Sequence, residues 1–185
     1  CESFSNFQEF CEKNAEKLVK LLLKYSSVPF VLDADALNII AKEPELLLRP
    51  HTELIVTPHL GEMARLTKDT VSLIQARLVE SAVTFAQTYD VICVLKDFHT
   101  VTALPFGRSY LNLSGNNGMA TAGSGDVLSG IIGSFLAQGL VADTAAPLGV
   151  YVHGLAGDMA AEQCGMRSLT ASDIITGLKD VLTNE

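Results

Sequence analysis

The sequence predicts an α/β fold built on a mostly parallel sheet. In the first half of the chain, segments with helical periodicity alternate with short apolar segments, the pattern of parallel strands joined by helices. The segment at 91–96 is apolar up to its last residue, as expected for a strand at the centre of such a sheet. The 185-residue chain is 48% hydrophobic and 18% charged, so it can bury a sizeable core and is not disordered.

Each element follows from its local pattern. Apolar residues spaced among lysines and glutamates predict an amphipathic helix over 7–25, and two apolar segments around residues 105–108 predict a hairpin. The apolar positions of that first helix are Phe7, Phe10, Cys11, Leu18, Leu21 and Leu22. The predicted strands are 28–32, 53–57, 91–96, 100–104 and 109–113. The other predicted helices are 37–48 (interrupted at Pro44), 61–66, 69–89, 126–138, about 144–164 and 172–182, the last with a capping box at 170–173.

Charge and cysteine content limit the partners. The formal net charge of −8 repels nucleic acid and anionic membranes, so we expect neither as a partner. A nucleotide would have to be held by local features, such as loop N–H groups, a lysine or a divalent metal. The four cysteines form no C-x-x-C pair, and Cys93 is predicted to be a buried hydrophobe. The chain also contains no apolar segment long enough to span a membrane. Together with the cysteine pattern, this predicts a cytoplasmic protein.

A glycine-rich segment at 114–130, SGNNGMATAGSGDVLSG, runs into an apolar segment that predicts a helix. Such a loop collects backbone N–H groups at the positive end of a helix dipole, which favours a phosphate. Asp126 stands where a general base would stand, and the alternative is a tight turn with Asp126 as a plain N-cap. The segment lacks the Gly-Lys-Ser/Thr of a P-loop and the G-x-G-x-x-G spacing of a dinucleotide fold.

Polar residues follow three predicted strands, at 33–38, 57–62 and 96–100. Because ligands bind beyond the carboxyl ends of the strands in such sheets, we expect these segments to converge with the glycine-rich loop. His59 is interpreted as a ligand contact, because it lies in a loop at a strand end. Lys96 ends an apolar strand and needs an anion, for which a phosphate or Asp97 is the candidate.

Several polar residues near these strand ends also have structural interpretations. Asp35 is either a helix cap or a site residue, and Asp33 is either a cap or a residue that supports the site. Glu62 fits a first-turn carboxylate favoured by the helix dipole. His153 is expected to be structural and His51 to be exposed.

The motifs together resemble the ADP/ATP-dependent NAD(P)H-hydrate dehydratase family, a branch of the ribokinase-like superfamily. In chain order they are VLDADALN (31–38), TPHLGE (57–62), LKDFHT (95–100), GNNGMATAGSGDVLSGII (115–132), YVHGLAGDMAAE (151–162) and SLTASDII (168–175). The resemblance covers about residues 28–178, and GMATAGSGDVLSG is its most specific part. It implies a ribokinase-like three-layer αβα sandwich.

The resemblance also implies an activity. A member of this family repairs hydrated NADH and NADPH: ADP or ATP phosphorylates the ring hydroxyl, and elimination of phosphate restores the reduced cofactor. Mg²⁺ is the implied metal and a homo-oligomer the implied assembly. Two alternatives stay open, namely a small-molecule kinase of the same superfamily (thiazole or pyridoxal type) and a nucleotide-binding module without activity. The choice between ADP and ATP also stays open.

Carried over residue by residue, the resemblance assigns a role to each motif. Asp126 would be the catalytic base, and the hydrated cofactor would contact His59, Asp126 and Asn116. The nucleotide would be bound by Lys96, Asp97, Phe98, His99, Thr100 and Gly125. The anion hole would consist of Gly123, Ser124 and Gly125. Glu62 would order the metal through water.

The chain departs from the family pattern in two ways. Asp97-Phe98 replaces the usual Gly-Ala pair after the lysine, which makes the nucleotide loop bulkier and more acidic. Family members also carry N-terminal strands and a glycine-containing substrate loop that no segment here matches. We therefore expect residues 1–185 to form a single ribokinase-like domain lacking its N-terminal strands. Such a chain would bind nucleotide weakly, turn over poorly and be less soluble than a longer one.

Overall fold

The computed structural model describes residues 2–48 and 52–183, with side chains from Phe10 onward, so His51 lies outside the described residues. The strands are β1 Phe30–Leu32, β2 Leu54–Val56, β3 Ile92–Leu95, β4 Val101–Ala103 and β5 Ser109–Leu111. The α-helices are α1 Glu2–Tyr25, α2 Asp35–Lys42, α3 Leu60–Thr67, α4 Val71–Ala76, α5 Leu78–Tyr89, α6 Ser124–Ala137, α7 Ala142–Cys164 and α8 Ala171–Thr183. Two short 3₁₀ helices, Pro44–Leu48 and Asn117–Met119, complete the described elements.

The five described strands form one sheet in the order β1-β2-β3-β4-β5. β1 pairs with β2 and β2 with β3 in parallel, with Val31 opposite Ile55 and Val56 opposite Cys93. β3, β4 and β5 pair antiparallel, which confirms the hairpin predicted around residues 105–108. The expected parallel sheet is therefore present at β1–β3 and gives way to an antiparallel edge.

Helices cover both faces of this sheet. Successive side chains of a strand point to opposite faces, so a strand buried on both sides contributes to two separate cores. On β3, Cys93 and Leu95 join the core formed with α1–α5, whereas Ile92 and Val94 join the core formed with α6 and α7. Cys93 is fully buried, as its sequence predicts. The result is three layers, helix–sheet–helix, and the α/β class is confirmed.

Glycines let α7 approach its neighbours closely. A Cβ on Gly157 would collide with the side chain of Met119, and one on Gly177 would collide with the carbonyl oxygen of Ala156. A Cβ on Gly154 would collide with Ser114, lying 2.8 Å from its carbonyl carbon and oxygen. The small residues of α7 therefore allow close contact with α8 and with the glycine-rich segment itself.

We expect Gly154→Ala and Gly130→Ala to change stability in opposite directions. Gly154→Ala forces a Cβ into the Ser114 backbone and should lower the free energy of unfolding by about 2 kcal/mol or more. Gly130 lies at an exposed position of α6, and a Cβ added there would meet nothing within 4 Å, so alanine should raise stability by about 0.5–1 kcal/mol. Urea unfolding of both variants measures this. Equal effects would contradict the close contact at Gly154.

Two local predictions are wrong, and a third is confirmed only in half. The single helix predicted over 69–89 is two helices, α4 and α5, because Arg77 leaves the helical region with φ −128° and ψ 44°. On α1, Val19 and Leu23 contact the core, whereas the positions predicted to form its apolar face are exposed where side chains are described. Those exposed positions are Phe10, Cys11, Leu18, Leu21 and Leu22. At α8 the Thr170 hydroxyl donates to Asp173 at 2.6 Å instead of accepting from the helix, so only the Asp173 half of the capping box forms.

None of the helices in the described ranges combines the length and the apolar character needed to cross a membrane.

Candidate active site

A cleft of about 810 Å³ lies where the carboxyl ends of β1–β3 meet the N-terminus of α6. It brings together residues that are far apart in the sequence, as the position of ligand sites in open α/β sheets predicts. The predicted site residues that line it are His59, Glu62, Lys96, Asp97, Phe98, Thr100, Asn116, Gly123, Ser124, Gly125 and Asp126. His99 does not line it, and neither does Asp35.

The N-terminus of α6 opens into this cleft. Gly123 is the N-cap, with a left-handed φ of 87°, and no side chain caps the helix among the described residues. The first N–H groups of a helix have no intrahelical acceptor. In α6 the N–H of Ser124 donates to Thr121 O at 3.3 Å, so those of Gly125 and Asp126 are the ones available to an anion in the cleft. Asp126 is the third residue of the helix and its side chain is exposed. The alternative of Asp126 as a plain N-cap is therefore wrong.

Lys96 is held beside this helix end by Asp33. Its ammonium Nζ lies 2.8 Å from Asp33 Oδ1, and the Ser129 hydroxyl of α6 donates to Asp33 Oδ2 at 2.8 Å. Of the two anions expected for Lys96, Asp97 is wrong, since Asp33 is the partner. A phosphate as a further partner stays a prediction. Burial acts to raise the pKa of Asp33, but the hydrogen bond and charge of Lys96, with the bond from Ser129, hold that pKa below its ordinary value.

This ion pair lies against Gly125 in the first turn of α6. A Cβ on Gly125 would lie 3.4 Å from Lys96 Nζ and 3.7 Å from Asp33 Oδ2. The ammonium therefore lies against the first turn of the helix, next to its free N–H groups. Positive charge and aligned donors meet at one point of an otherwise acidic chain, which is what a phosphoryl group requires.

His59 and Glu62 form a reciprocal cap on α3. His59 Nδ1 accepts from the backbone N–H of Gly61 at 2.9 Å and of Glu62 at 3.3 Å, and Glu62 Oε2 accepts from the His59 N–H at 2.8 Å. Because Nδ1 accepts, neutral His59 carries its proton on Nε2. The His59 side chain is 53% exposed, and its Nε2 lies 3.5 Å from Oε1 of Glu62, whose side chain is 7% exposed.

Asn116 fastens the glycine-rich loop to α7. Its amide donates to Gly157 O and to Asp158 Oδ1, both at 3.0 Å, and its oxygen accepts from Gly118 N at 3.0 Å. Asp158 also accepts from Gly115 N at 2.8 Å. The side chain of Asn116 thus shapes the wall of the cleft, and its contact with a substrate stays a prediction.

The segment after β3 forms another wall. The backbone N–H of Lys96 donates to Pro58 O at 2.8 Å, which joins this segment to the end of β2. Phe98 is 71% exposed on the rim of the cleft, with the ring of His99 edge-on at 4.5 Å. An exposed aromatic face beside an anion site suits a nucleotide base.

The sequence predicts a structural role for His153, whereas the structure places this residue in the lining of the cleft. It lies on α7, 9% exposed, with Nε2 3.4 Å from Ser124 Oγ. Burial, chiefly, lowers the pKa of His153 to about 4, helped by the nearby charge of Lys96 and opposed by a hydrogen bond with the Ser124 backbone. The sequence feature that could have indicated its position is the neighbouring Gly154 and Gly157, which bring α7 against the glycine-rich segment.

We expect His153 to make the protein acid-sensitive. Its pKa falls from 6.5 to about 4 on folding, so between these values the unfolded chain binds the extra proton and stability is lost as pH falls. From pH 7 to pH 5 the loss should be about 2 kcal/mol. Asp33, whose pKa is lowered from 3.8, acts at still lower pH. Urea unfolding at both pH values should show a much smaller loss in His153→Gln; an equal loss would contradict the burial of a neutral imidazole.

Comparison with known proteins agrees with this geometry. A family model described as NAD(P)H-hydrate dehydratase matches residues 11–179. The chain belongs to the NAD(P)H-hydrate dehydratase family. Among its relatives, the bifunctional NAD(P)H-hydrate repair enzyme Nnr of Moorella thermoacetica is 49% identical over 167 residues, which are 90% of this chain and 32% of that protein. The chain thus spans about a third of the length of this relative.

Two solved structures share the fold. The ADP/ATP-dependent NAD(P)H-hydrate dehydratase of Bacillus subtilis, co-crystallised with ATP and Mg²⁺, has a TM-score of 0.74 and 31% identity; the match covers 84% of this chain and 55% of that one. A ribokinase-like superfamily protein of Enterococcus faecalis has a TM-score of 0.78 at 25% identity, covering 91% of this chain and 58% of that one. The predicted family and the ribokinase-like fold are both confirmed.

Proposed function

We propose that this chain carries the nucleotide-dependent dehydration of hydrated NADH and NADPH, with ADP or ATP as phosphoryl donor. The observation that carries the proposal is the meeting of three features in one cleft: the open N-terminus of α6, the Lys96 ammonium, and the exposed carboxylate of Asp126. Family membership supports the choice of substrate. We further propose that residues 1–185 act as one ribokinase-like domain.

In the proposed reaction Asp126 accepts the proton of the ring hydroxyl as that oxygen attacks the terminal phosphorus of the donor. A new P–O bond forms, and the bond to the departing nucleotide breaks. The N–H groups of the Gly123–Gly125 segment and the Lys96 ammonium stabilise the charge on the transferring group. Phosphate then leaves from the ring carbon, and loss of a ring proton restores the dihydronicotinamide.

The site fits Mg²⁺ only as a partner of the nucleotide. The described residues contain no group of three His, Cys, Asp or Glu side chains able to hold a metal, and one oxygen of Glu62 already caps α3. Mg²⁺ commonly takes one carboxylate together with phosphate oxygens and water, so Glu62 would hold it through water. When bound there, the metal supplies charge neutralisation to the phosphates.

The donor nucleotide and the hydrated cofactor would contact different walls of the cleft. We place the donor nucleotide on the side of residues 96–100 and the hydrated cofactor on the side of His59, whose Nε2–H would donate to it. The two would meet at residues 123–126. A complex with the adenosine of the donor against His59 would reverse the assignment.

We expect Phe98→Ala to raise the Kd for ADP about tenfold, because stacking of a base on an aromatic ring contributes about 1–3 kcal/mol. Calorimetric titration with ADP measures this. Phe106→Ala is the matched control, since Phe106 is also exposed, at 62%, but lies in the hairpin turn away from the cleft. Equal Kd values for Phe98→Ala and the unaltered chain would remove Phe98 from the nucleotide site.

The test of the proposed function is restoration of the near-ultraviolet absorbance of NADH from hydrated NADH. We expect slow restoration that requires both Mg²⁺ and ADP or ATP. Absence of restoration while ADP still binds would leave a nucleotide-binding module without activity. Phosphorylation of a thiazole or pyridoxal compound, with no restoration of NADH, would favour the small-molecule kinase.

A further inference from the structure

His153 and Ser124 form a buried contact that the reaction proposed above does not use. Both residues are nearly buried, at 9% and 8% exposure, and both line the cleft. Ser124 is the first residue of α6, so its hydroxyl lies in the turn that would hold the phosphoryl group in the proposed reaction. The 3.4 Å between His153 Nε2 and Ser124 Oγ is longer than an ordinary hydrogen bond. Such bonds commonly shorten once a ligand is bound.

The direction of the hydrogen bond between His153 and Ser124 determines what the serine hydroxyl can do. A serine hydroxyl has one donor and two acceptor positions. If His153 Nε2–H donates to Ser124 Oγ, the hydroxyl proton is free to point into the cleft. If Ser124 instead donates to an unprotonated Nε2, that proton is lost to the ligand. The buried imidazole is neutral near pH 7, so it offers one N–H, to the Ser124 hydroxyl or to the Ser124 backbone, without adding charge beside Lys96.

We propose that His153 is a positioning residue that holds the Ser124 hydroxyl so that its proton is donated to the transferring phosphoryl group. The inference deepens the proposed function and rests on it. His153 itself touches neither reacting atom; it acts through Ser124. The alternative is that His153 only fills space between α6 and α7.

Kinetics with four variants separate these roles. Ser124→Ala should lower kcat about 10²-fold, as loss of one anion-hole donor does. His153→Leu should lower kcat about tenfold with little change in the KM for ADP, and His153→Gln, whose amide can donate to Ser124, should retain most of kcat. Adding His153→Leu to Ser124→Ala should cost nothing further, because the two residues act as one unit. Additive losses, or an unchanged kcat in His153→Leu, would overturn the proposal.

Val152→Ala is the matched packing control. Val152 is buried, at 6% exposure, on the same helix, and it does not line the cleft. It should lower the free energy of unfolding while leaving kcat unchanged. If His153→Leu does not fold, the comparison of His153→Gln with His153→Asn, whose amide lies closer to the backbone, replaces it; equal kcat values for these two would overturn the proposal.

Nitrogen-15 NMR of the imidazole tests the His153–Ser124 contact without turnover. A wrong assignment of this contact can therefore be distinguished from a wrong proposed function. With ADP bound at pH 7, the proton of His153 should be on Nε2, and Ser124→Ala should shift the Nε2 resonance. A proton on Nδ1, with Nε2 accepting, would overturn the inference even in an active enzyme. A silent NADH assay with the expected tautomer would contradict the proposed reaction and leave the contact established.

Discussion

Asp126→Asn should abolish dehydration while leaving ADP binding largely intact. Asparagine keeps the size of the side chain and its place in the first turn of α6, but it cannot accept the hydroxyl proton. General base catalysis contributes about 10²–10⁴-fold, so kcat should fall by at least that lower factor. The rate of NADH restoration and the Kd for ADP, measured on the same preparation, check both halves of this expectation.

Asp143→Asn is the control for Asp126→Asn. Asp143 lies in the first turn of α7, so the same change removes a carboxylate from the first turn of a helix outside the cleft. We expect it to leave kcat unchanged. Asp126→Asn retaining more than about a tenth of the unaltered rate would exclude Asp126 as the base.

Lys96→Met should have the second largest effect, on both binding and stability. It removes the cation that faces the first turn of α6, so we expect the Kd for ADP to rise and kcat to fall, each about tenfold or more. It also leaves Asp33, 15% exposed, without its ion-pair partner. A charged hydrogen bond of this kind contributes on the order of 2 kcal/mol, so the free energy of unfolding should drop by about that amount.

A double-mutant cycle separates the two consequences of Lys96→Met. Asp33→Asn combined with Lys96→Met should recover much of the lost stability, because no uncompensated carboxylate is left, but it should not recover ADP binding. Recovery of both would mean that Lys96 acts only by pairing with Asp33. Loss of neither in the single variant would contradict its place in the anion site.

The sequence could predict the elements of this fold because their patterns are local. The apolar segment before Lys96 and the glycine-rich segment before α6 each determine one strand or one helix start. The break at Arg77 could not be predicted, because the apolar periodicity continues across it. The buried face of α1 could not be predicted from the helix alone. The face that is buried is the one with Val19 and Leu23, which contact the core, and it is not the face with the most apolar residues.

The candidate site was predictable as a set of strand ends but not as a set of contacts. Lys96 and Asp33 are 63 positions apart, and only the parallel order of β1–β3 places them together. The His59–Glu62 cap had a local signal, the three-residue spacing of a capping box, although histidine is an uncommon cap. His153 lies on a helix of small residues, so its neighbour across the α6–α7 contact appears only in three dimensions.

The fate of the phosphoryl group tests the central claim most directly. The chain would be incubated with hydrated NADH and with ADP or ATP labelled in its terminal phosphate, and the label followed by chromatography. We predict that the label appears as inorganic phosphate in step with restored NADH, and that neither appears with Asp126→Asn. Label retained in a stable phosphoester of the substrate, or phosphate released without restored NADH, would contradict the account.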